Sequence, residues 1–472
     1  MVALTTVITQ SPGVYVSEEK SAAPIAGVGT STAGFIGLVE PVGATTRAIG
    51  SAEAPVDIAV ASANQRNFPL PESDIVTEGD FGFLVDDVPN TDVKITKDGN
   101  KFSATFTTAP GKDKKITGYY KVAVQSPVAA APEVKVCTNF TEFKDLFGVV
   151  DTTKGDASKE VFIAGQPNLL AHAVLGFFRN GGTRCYVARV ASDTEASVGL
   201  VLDQFEAIDE IAIVAAPGLQ ETRKYIADNC ALLGDRVAIL DGPPSVDLSA
   251  TNAKTLLQPF PSDYAALYFP WLLVFDPAAA DPKVPIAVPP SGHVAGIYAR
   301  VDSQRGVFKA PANEVVVGAT ALAQPISKRN QDTLNEKGIN CIRNFNGDIR
   351  VWGARTLGGE ANGEFKYIST RRLFNYLKES IDEGTQWTVF EPNSPELWAK
   401  IRRSVTAFLT VVWRSGALFG STPEEAFYVK CDAENNPPNQ RELGLVVTDI
   451  GVAVVKPAEF VVFRLSQRQD GQ

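Results

Sequence analysis

Residues 11–37 read SPGVYVSEEKSAAPIAGVGTSTAGFIG, and the fold turns on what their first strand pairs with. Val14, Tyr15 and Val16 are strong strand formers. A Pro-Gly breaker precedes them, and the charged run Ser17-Glu18-Glu19-Lys20 follows. No turn and return strand occur at hairpin spacing. The strand therefore has no local partner, and its N–H and C=O groups must be satisfied elsewhere. A stretch of small residues leads on to a short apolar strand, Gly34 to Val39, which Pro41-Val42-Gly43 ends. The other end of the chain carries a second orphan, AEFVVFRLSQ, at residues 458–467.

The chain has 472 residues, 44% of them hydrophobic and 21% charged, enough for a large buried core in an ordinary globular protein. No run of 18 apolar residues occurs; the nearest, AALYFPWLLVFDP, is cut by Pro270 and Pro277 and reads as a buried strand. No basic region followed by an apolar run is visible near residue 1, so no secretory signal is expected. The net charge of −10 argues against general nucleic-acid binding, which needs a basic footprint. Residues 331–472 are close to charge balance, and residues 1–330 hold almost all the excess acid. The five cysteines are widely spaced with no CxxC, which fits free buried thiols in a reducing compartment and no zinc site.

Periodicity divides the chain. From Asn67 to Pro127 the residues read as strands: VKITKDGNKFSATF alternates on both sides of Asp98-Gly99, and KITGYYKVAV follows. This predicts a small all-β domain over 67–128. From Pro132 to Ala323, short apolar strands (RCYVARV, EIAIVAAPG, RVAILDGPP) alternate with amphipathic helices, the pattern of an α/β domain with a largely parallel sheet. Two helices follow. In STRRLFNYLKESIDEG, Ser369 or Thr370 can cap and Gly384 can end the helix. In SPELWAKIRRSVTAFLTVVW, Ser394 caps, Pro395 takes the first position, and Trp398, Ile401, Val405, Phe408 and Val412 share one face. Two strand-like stretches, 443–455 and 458–467, close the chain.

The usual chemical motifs are missing. GTSTAGF has glycines but no Lys for a phosphate, and no GxSxG, HExxH or EF-hand loop occurs. A Ser-His-Asp hydrolase is the one catalytic reading available, from Asp241 at a strand end, His293 near a helix start, and Ser291 or Ser303 as nucleophile. His172 reads as lying in a helix before a strand, and Cys185 and Cys230 as inert core thiols. No catalytic group, metal or cofactor is expected otherwise. Lys400, Arg402 and Arg403, with Arg371 and Arg372 on the preceding helix, form a basic group suited to an acidic surface.

The sequence resembles the sheath proteins of contractile phage tails and phage-tail-like injection machines. The likeness is carried by residues 11–37, by GINCIRNFNGDIRVWGARTL (338–357), by FKYISTRRLFNYLKESIDEGTQWTVFEPNSPELWAKIRRSV (365–405) and by AEFVVFRLSQ. NFTEFKDLFG and HAVLGFFRNGGTRCYVARV in the middle fit as well, while 67–128 falls outside the resemblance.

The resemblance implies an α/β, α+β multidomain chain with a subtilisin-like middle domain that is not a protease. Its expected parts are an N-terminal arm (1–24), a first part of the core (25–66), the inserted all-β domain facing outward (67–128), the middle domain (129–330), an inner C-terminal α+β domain (331–456) and a C-terminal arm (457–472). It implies stacked hexameric rings of this chain around an inner tail tube, with baseplate and tail terminator proteins as further partners. Contraction then drives the tube through a target envelope. No nucleic acid and no membrane contact by this chain are implied. The location implied is a virion tail assembled in the bacterial cytoplasm, or else a bacterial contractile injection particle. The arms would join sheets of neighbouring subunits by β-augmentation, through Val14, Tyr15 and Val16 at one end and Phe460, Val461, Val462, Phe463, Arg464 and Leu465 at the other. Lys400, Arg402 and Arg403 would face the tube. The small residues from Ala22 to Thr32 would act as a flexible linker. Besides the hydrolase, a shell or terminator component of the same machine is the alternative.

Overall fold

Val237–Asp241 and Ala265–Phe269 are buried at every position. A strand with no polar face needs cover on both sides, which a parallel sheet between helices supplies. Both lie at the centre of a nine-stranded sheet. Its order is Lys135–Cys137, Cys185–Val190, Ala33–Leu38, Ile213–Ala215, Val237–Asp241, Ala265–Phe269, Ile339–Phe345, Asp348–Val351, Glu314–Val315. The five strands from Ala33–Leu38 to Ile339–Phe345 pair in parallel, and antiparallel pairs close both edges. The computed structural model describes residues 24–38, 45–49, 55–70, 81–98, 101–124, 133–150, 159–162, 168–249, 257, 260–277 and 284–462.

The chain divides into two compact units. The larger comprises the residues up to Gly37, Val134–Ala188 and Asp193–Gln472 and holds this sheet. Helices Leu169–Arg179 and Ser291–Gln304 pack on each other within its core. Their contact is backbone to backbone: a Cβ on Gly292 would lie 2.3 Å from the Ala173 carbonyl oxygen, so only glycine fits. The apolar run at 265–275, expected as one strand, is two. Pro270 has no N–H for the ladder, and Leu272–Phe275 joins a separate antiparallel sheet with Pro285–Val288 and Ala319–Leu322.

The same unit carries helices Ile368–Thr385 and Pro395–Arg414, whose apolar faces meet through Leu373, Leu377, Leu397, Ile401, Val405, Phe408 and Val412. Ser394 caps the second helix, its Oγ accepting from Leu397 N, with Pro395 at the first position. The first helix departs from expectation. Tyr367 occupies its N-cap position, and Ser369 and Thr370 lie buried inside it. Gly384 does not end it: a Cβ there would lie 2.6 Å from Ile25, so this glycine makes room for the N-terminal segment. Phe427–Lys430 and Asp449–Val452 form a two-stranded antiparallel sheet beside these helices.

The smaller unit is Leu38–Glu133 with Arg189–Ser192. Between residues 38 and 133 its described elements are all strands. Lys115–Val124 pairs with Thr45–Ile49, Val56–Val60 and Gly82–Val85, and Lys101–Phe106 pairs with Asn67–Pro69 and Val93–Asp98. Phe68, Phe83, Phe102, Phe106, Ile116 and Tyr120 fill its core. The unit starts upstream of residue 67, because the ten-residue strand Lys115–Val124 is long enough to take partners from 45–60 as well.

Candidate functional site

Val14, Tyr15 and Val16, and Phe463, Arg464 and Leu465, lie outside the described residues. What the structure shows is how the chain is fastened where these ends begin. At the N-terminal side, residues 25–30 run along the Ile368–Thr385 helix. Ile25 is buried against Gly384, and a Cβ on Gly27 would lie 2.1 Å from the Tyr376 hydroxyl. Val28 N donates to Ser380 Oγ (3.1 Å), and Thr30 Oγ1 donates to Asp302 Oδ2 (2.6 Å). Ile25, Gly27 and Val28 are therefore closely seated on this helix, where the resemblance implies a flexible linker, while Gly29 has open space around it.

Arg372 completes this root. Its guanidinium donates to both Asp302 carboxylate oxygens (3.0 and 2.5 Å) and to the Thr30 carbonyl (2.9 Å), and its carbon lies 4.6 Å from the centre of the Tyr298 ring. Burial works against its charge, and the Asp302 carboxylate more than offsets this, holding the group above its ordinary value. Arg371 is also buried, paired with Asp263 and lying over the rings of Phe365 and Tyr264. Neither arginine belongs to an outward basic group; both tie the helix start to the rest of the unit.

At the C-terminal side, Glu459 is fastened by Arg355, Asn335 and Tyr367. Burial alone would raise its carboxyl, but these three donors hold it below the ordinary value. Beyond it, Phe460, Val461 and Val462 are 72%, 67% and 79% exposed and outside any strand. Such apolar residues in sequence, with no partner among the described residues, form a patch that asks for cover. The two-stranded sheet 427–430 and 449–452 has no third strand among the described residues, although its continuation at 453–455 pairs with residues 417–419 and the Phe427 N–H donates to the Pro423 carbonyl.

Lys400, Arg402 and Arg403 are all exposed on the Pro395–Arg414 helix. Arg402 Nη1 also donates to the Cys431 carbonyl (2.7 Å), which fixes its stem. The five cysteines are all free and buried.

The hydrolase constellation is not assembled. Ser291 Oγ donates directly to Asp241 Oδ2 (2.7 Å), and Ser291 N and Gly218 N donate to the same carboxylate (2.8 and 3.3 Å). No imidazole stands between them. Burial pushes the Asp241 carboxyl up to about 7, against the pull of Ser291, Gly218 and Arg223. His293 instead lies against the bare backbone of Gly176, its Nδ1 buried without a hydrogen-bond partner. Ser303 Oγ donates to the Arg300 carbonyl one turn back. The Asp241 carboxylate thus accepts from the first turn of the Ser291–Gln304 helix, and no imidazole is placed to relay the Ser291 proton as the triad requires.

Residues 196–357 match the family model of the phage tail sheath protein central domain, and residues 360–468 match that of the phage tail sheath C-terminal domain. The chain belongs to the contractile tail sheath family. A putative prophage major tail sheath protein of Pseudomonas aeruginosa is 25% identical over 64% of this chain and 74% of its own length. The tail sheath protein of Vibrio phage KVP40 is 29% identical over 37% of this chain and 25% of its own length. In fold the chain is similar to the sheath of an extracellular contractile injection system, PVC, in its contracted state. The TM-score is 0.63 at 23% identity, covering 98% of both chains. As a member of this family, the chain is a structural subunit of a contractile tail sheath. Residues 1–195, with 38–133 among them, lie outside both family models.

Proposed function

We propose that this sheath subunit links to its neighbours by donating its two terminal arms as strands, with the sheet of Phe427–Lys430 and Asp449–Val452 as the receiving edge. The observation that carries this reading is the exposed Phe460–Val462 stretch, which has no strand partner among the described residues, on a chain whose small sheet has no third strand among them. Each backbone hydrogen bond formed on augmentation contributes about 0.5–1.5 kcal/mol net. Four of them give a few kcal/mol per arm, and covering an apolar side chain adds about 1.5–3 kcal/mol. Such links are modest singly and repeat through a lattice.

The assembly follows the resemblance: stacked hexameric rings around an inner tail tube, bounded by baseplate and tail terminator proteins, in a phage virion or a phage-like injection particle. Its shortening drives the tube through the target envelope. Lys400, Arg402 and Arg403 face the tube, where an acidic partner surface would meet them. The middle domain (129–330) has subtilisin-like topology, residues 331–456 form the inner domain, and residues 67–128 form an inserted all-β part.

Negative-stain electron microscopy of the purified full chain tests this reading. Long striated sleeves are expected. Discrete particles that react with a fluorophosphonate at Ser291 would favour the hydrolase and overturn it.

A further inference from the structure

Among the described residues, side-chain bonds hold the C-terminal segment beyond Val455 at Glu459. The last backbone hydrogen bond before it is Val455 N to the Ala417 carbonyl (3.2 Å). No strand pairing follows among the described residues. Glu459 then receives four bonds of 2.8 Å: Arg355 Nε and Nη2 grip its two oxygens side by side, Asn335 Nδ2 adds to Oε1, and the Tyr367 hydroxyl adds to Oε2. Paired guanidinium–carboxylate contacts fix direction as well as distance. Arg355 is only 3% exposed and is itself fixed. Its N–H donates to Asn340 Oδ1 and its carbonyl accepts from Asn340 Nδ2, both at 2.8 Å. Asn340 belongs to Ile339–Phe345, a strand of the nine-stranded sheet. A direct line of strong contacts therefore runs from the start of the arm into the central sheet.

We propose that Arg355 and Glu459 form a clamp that sets the exit point of the C-terminal arm and passes tension from a neighbouring subunit into the central sheet. This rests on the reading of residues 460–472 as an inter-subunit strand. Without the clamp the arm starts at Val455, four residues earlier. At about 3.4 Å per extended residue, that adds about 14 Å of slack at every link. A slack tether lowers the effective concentration of the arm at its receiving edge, and it lets subunits move before any force is felt. The clamp is a positioning device, and little of the core depends on it. If Glu459 is lost, Arg355 Nη1 keeps Glu360 and the Asn335 carbonyl, each at 3.0 Å, so no buried charge is stranded.

Three chains test the proposal: Glu459→Ala, the conservative Glu459→Gln, and a chain ending at Glu459. For Glu459→Ala the monomer should keep its urea midpoint. Amide exchange over residues 456–460 should rise about tenfold or more, and sleeves counted by negative stain should fall by about tenfold. Glu459→Gln retains the hydrogen-bonding shape and should recover part of the sleeves. If the truncated chain forms normal sleeves, the arm reading itself fails, and the clamp with it. If the truncated chain forms none but Glu459→Ala forms them in normal number and length, the clamp is wrong and the arm reading stands. Global destabilisation of Glu459→Ala would also overturn it, by making Glu459 an ordinary structural residue.

Discussion

Arg371 and Arg372 carry buried charge at the start of one helix. Arg371-Arg372 reads as a surface pair, yet both lie inside the unit against Asp263 and Asp302. Replacing Asp302 with Ala leaves Arg372 without its carboxylate and releases Thr30. Urea unfolding should show a loss of about 3–5 kcal/mol; a loss near zero would remove Asp302 from this role. The two histidines make a second test. Burial, with Arg179 adding to it, pushes His172 down to about 4; Asp276 pulls the other way. Burial, His172 and Arg179 push His293 down to about 3. Both values lie below the unfolded value of about 6.5, so the unfolded chain binds these protons first. Their contribution is complete above pH 6.5 and is lost as pH falls toward 4 and 3. Each imidazole should cost about 2 kcal/mol by pH 5. Asp241, raised to about 7, acts in the opposite sense over the same range, so the two histidines outweigh it. Stability measured by urea from pH 7 to pH 4.5 should fall, and His293→Gln should flatten the slope; an unchanged slope would contradict the assignment. The legible sign of Glu459 was a lone carboxylate inside AEFVVF, and sequence could not supply the partner 104 positions away.

At the scale of elements, periodicity carries far. The cap at Ser394 and the apolar face from Trp398 to Val412 are present as read, and Val93–Asp98 pairs antiparallel with Lys101–Phe106 as the hairpin signal implies, with Asp98 in the strand opposite Lys101. These features depend on neighbours within one or two turns, which is what sequence displays. Features that depend on distant backbone were not legible. Gly384 reads as a helix stop but is a seat for Ile25, and the strand Phe427–Lys430 is too short to show a period. The helix contact at Gly292 has a clear test. Gly292→Ala would drive a methyl into the Ala173 backbone and should cost about 1–3 kcal/mol, while Gly29→Ala, with nothing within 4 Å, should be neutral. Equal effects in urea unfolding would contradict the close approach. The exposed Lys400, Arg402 and Arg403 belong to this scale too. Changing all three to Glu should leave the monomer's unfolding midpoint unchanged and prevent sleeve assembly on the tube protein. Normal extended sleeves from that triple variant would dismiss the tube contact.

For the whole molecule, the two family models cover the chain from residue 196 onward apart from a two-residue gap and its last four residues, while the strand-rich residues 38–133 stand outside them. No helix among the described residues is long and apolar enough to cross a membrane. What binds the account together is the pair of orphan ends. The quoted stretch at 11–37 posed a strand without a partner, and the structure adds that the chain is seated from Ile25 onward, on the helix Ile368–Thr385 and through Arg372. Residues 14–16 themselves lie outside the described residues, and their pairing with another subunit is the proposal to be tested. The most direct measurement is electron microscopy of the chain lacking residues 1–20, beside circular dichroism of the same sample. A folded monomer with unchanged spectrum that forms no sleeves is expected. Sleeves of normal length and width from this truncated chain would contradict it.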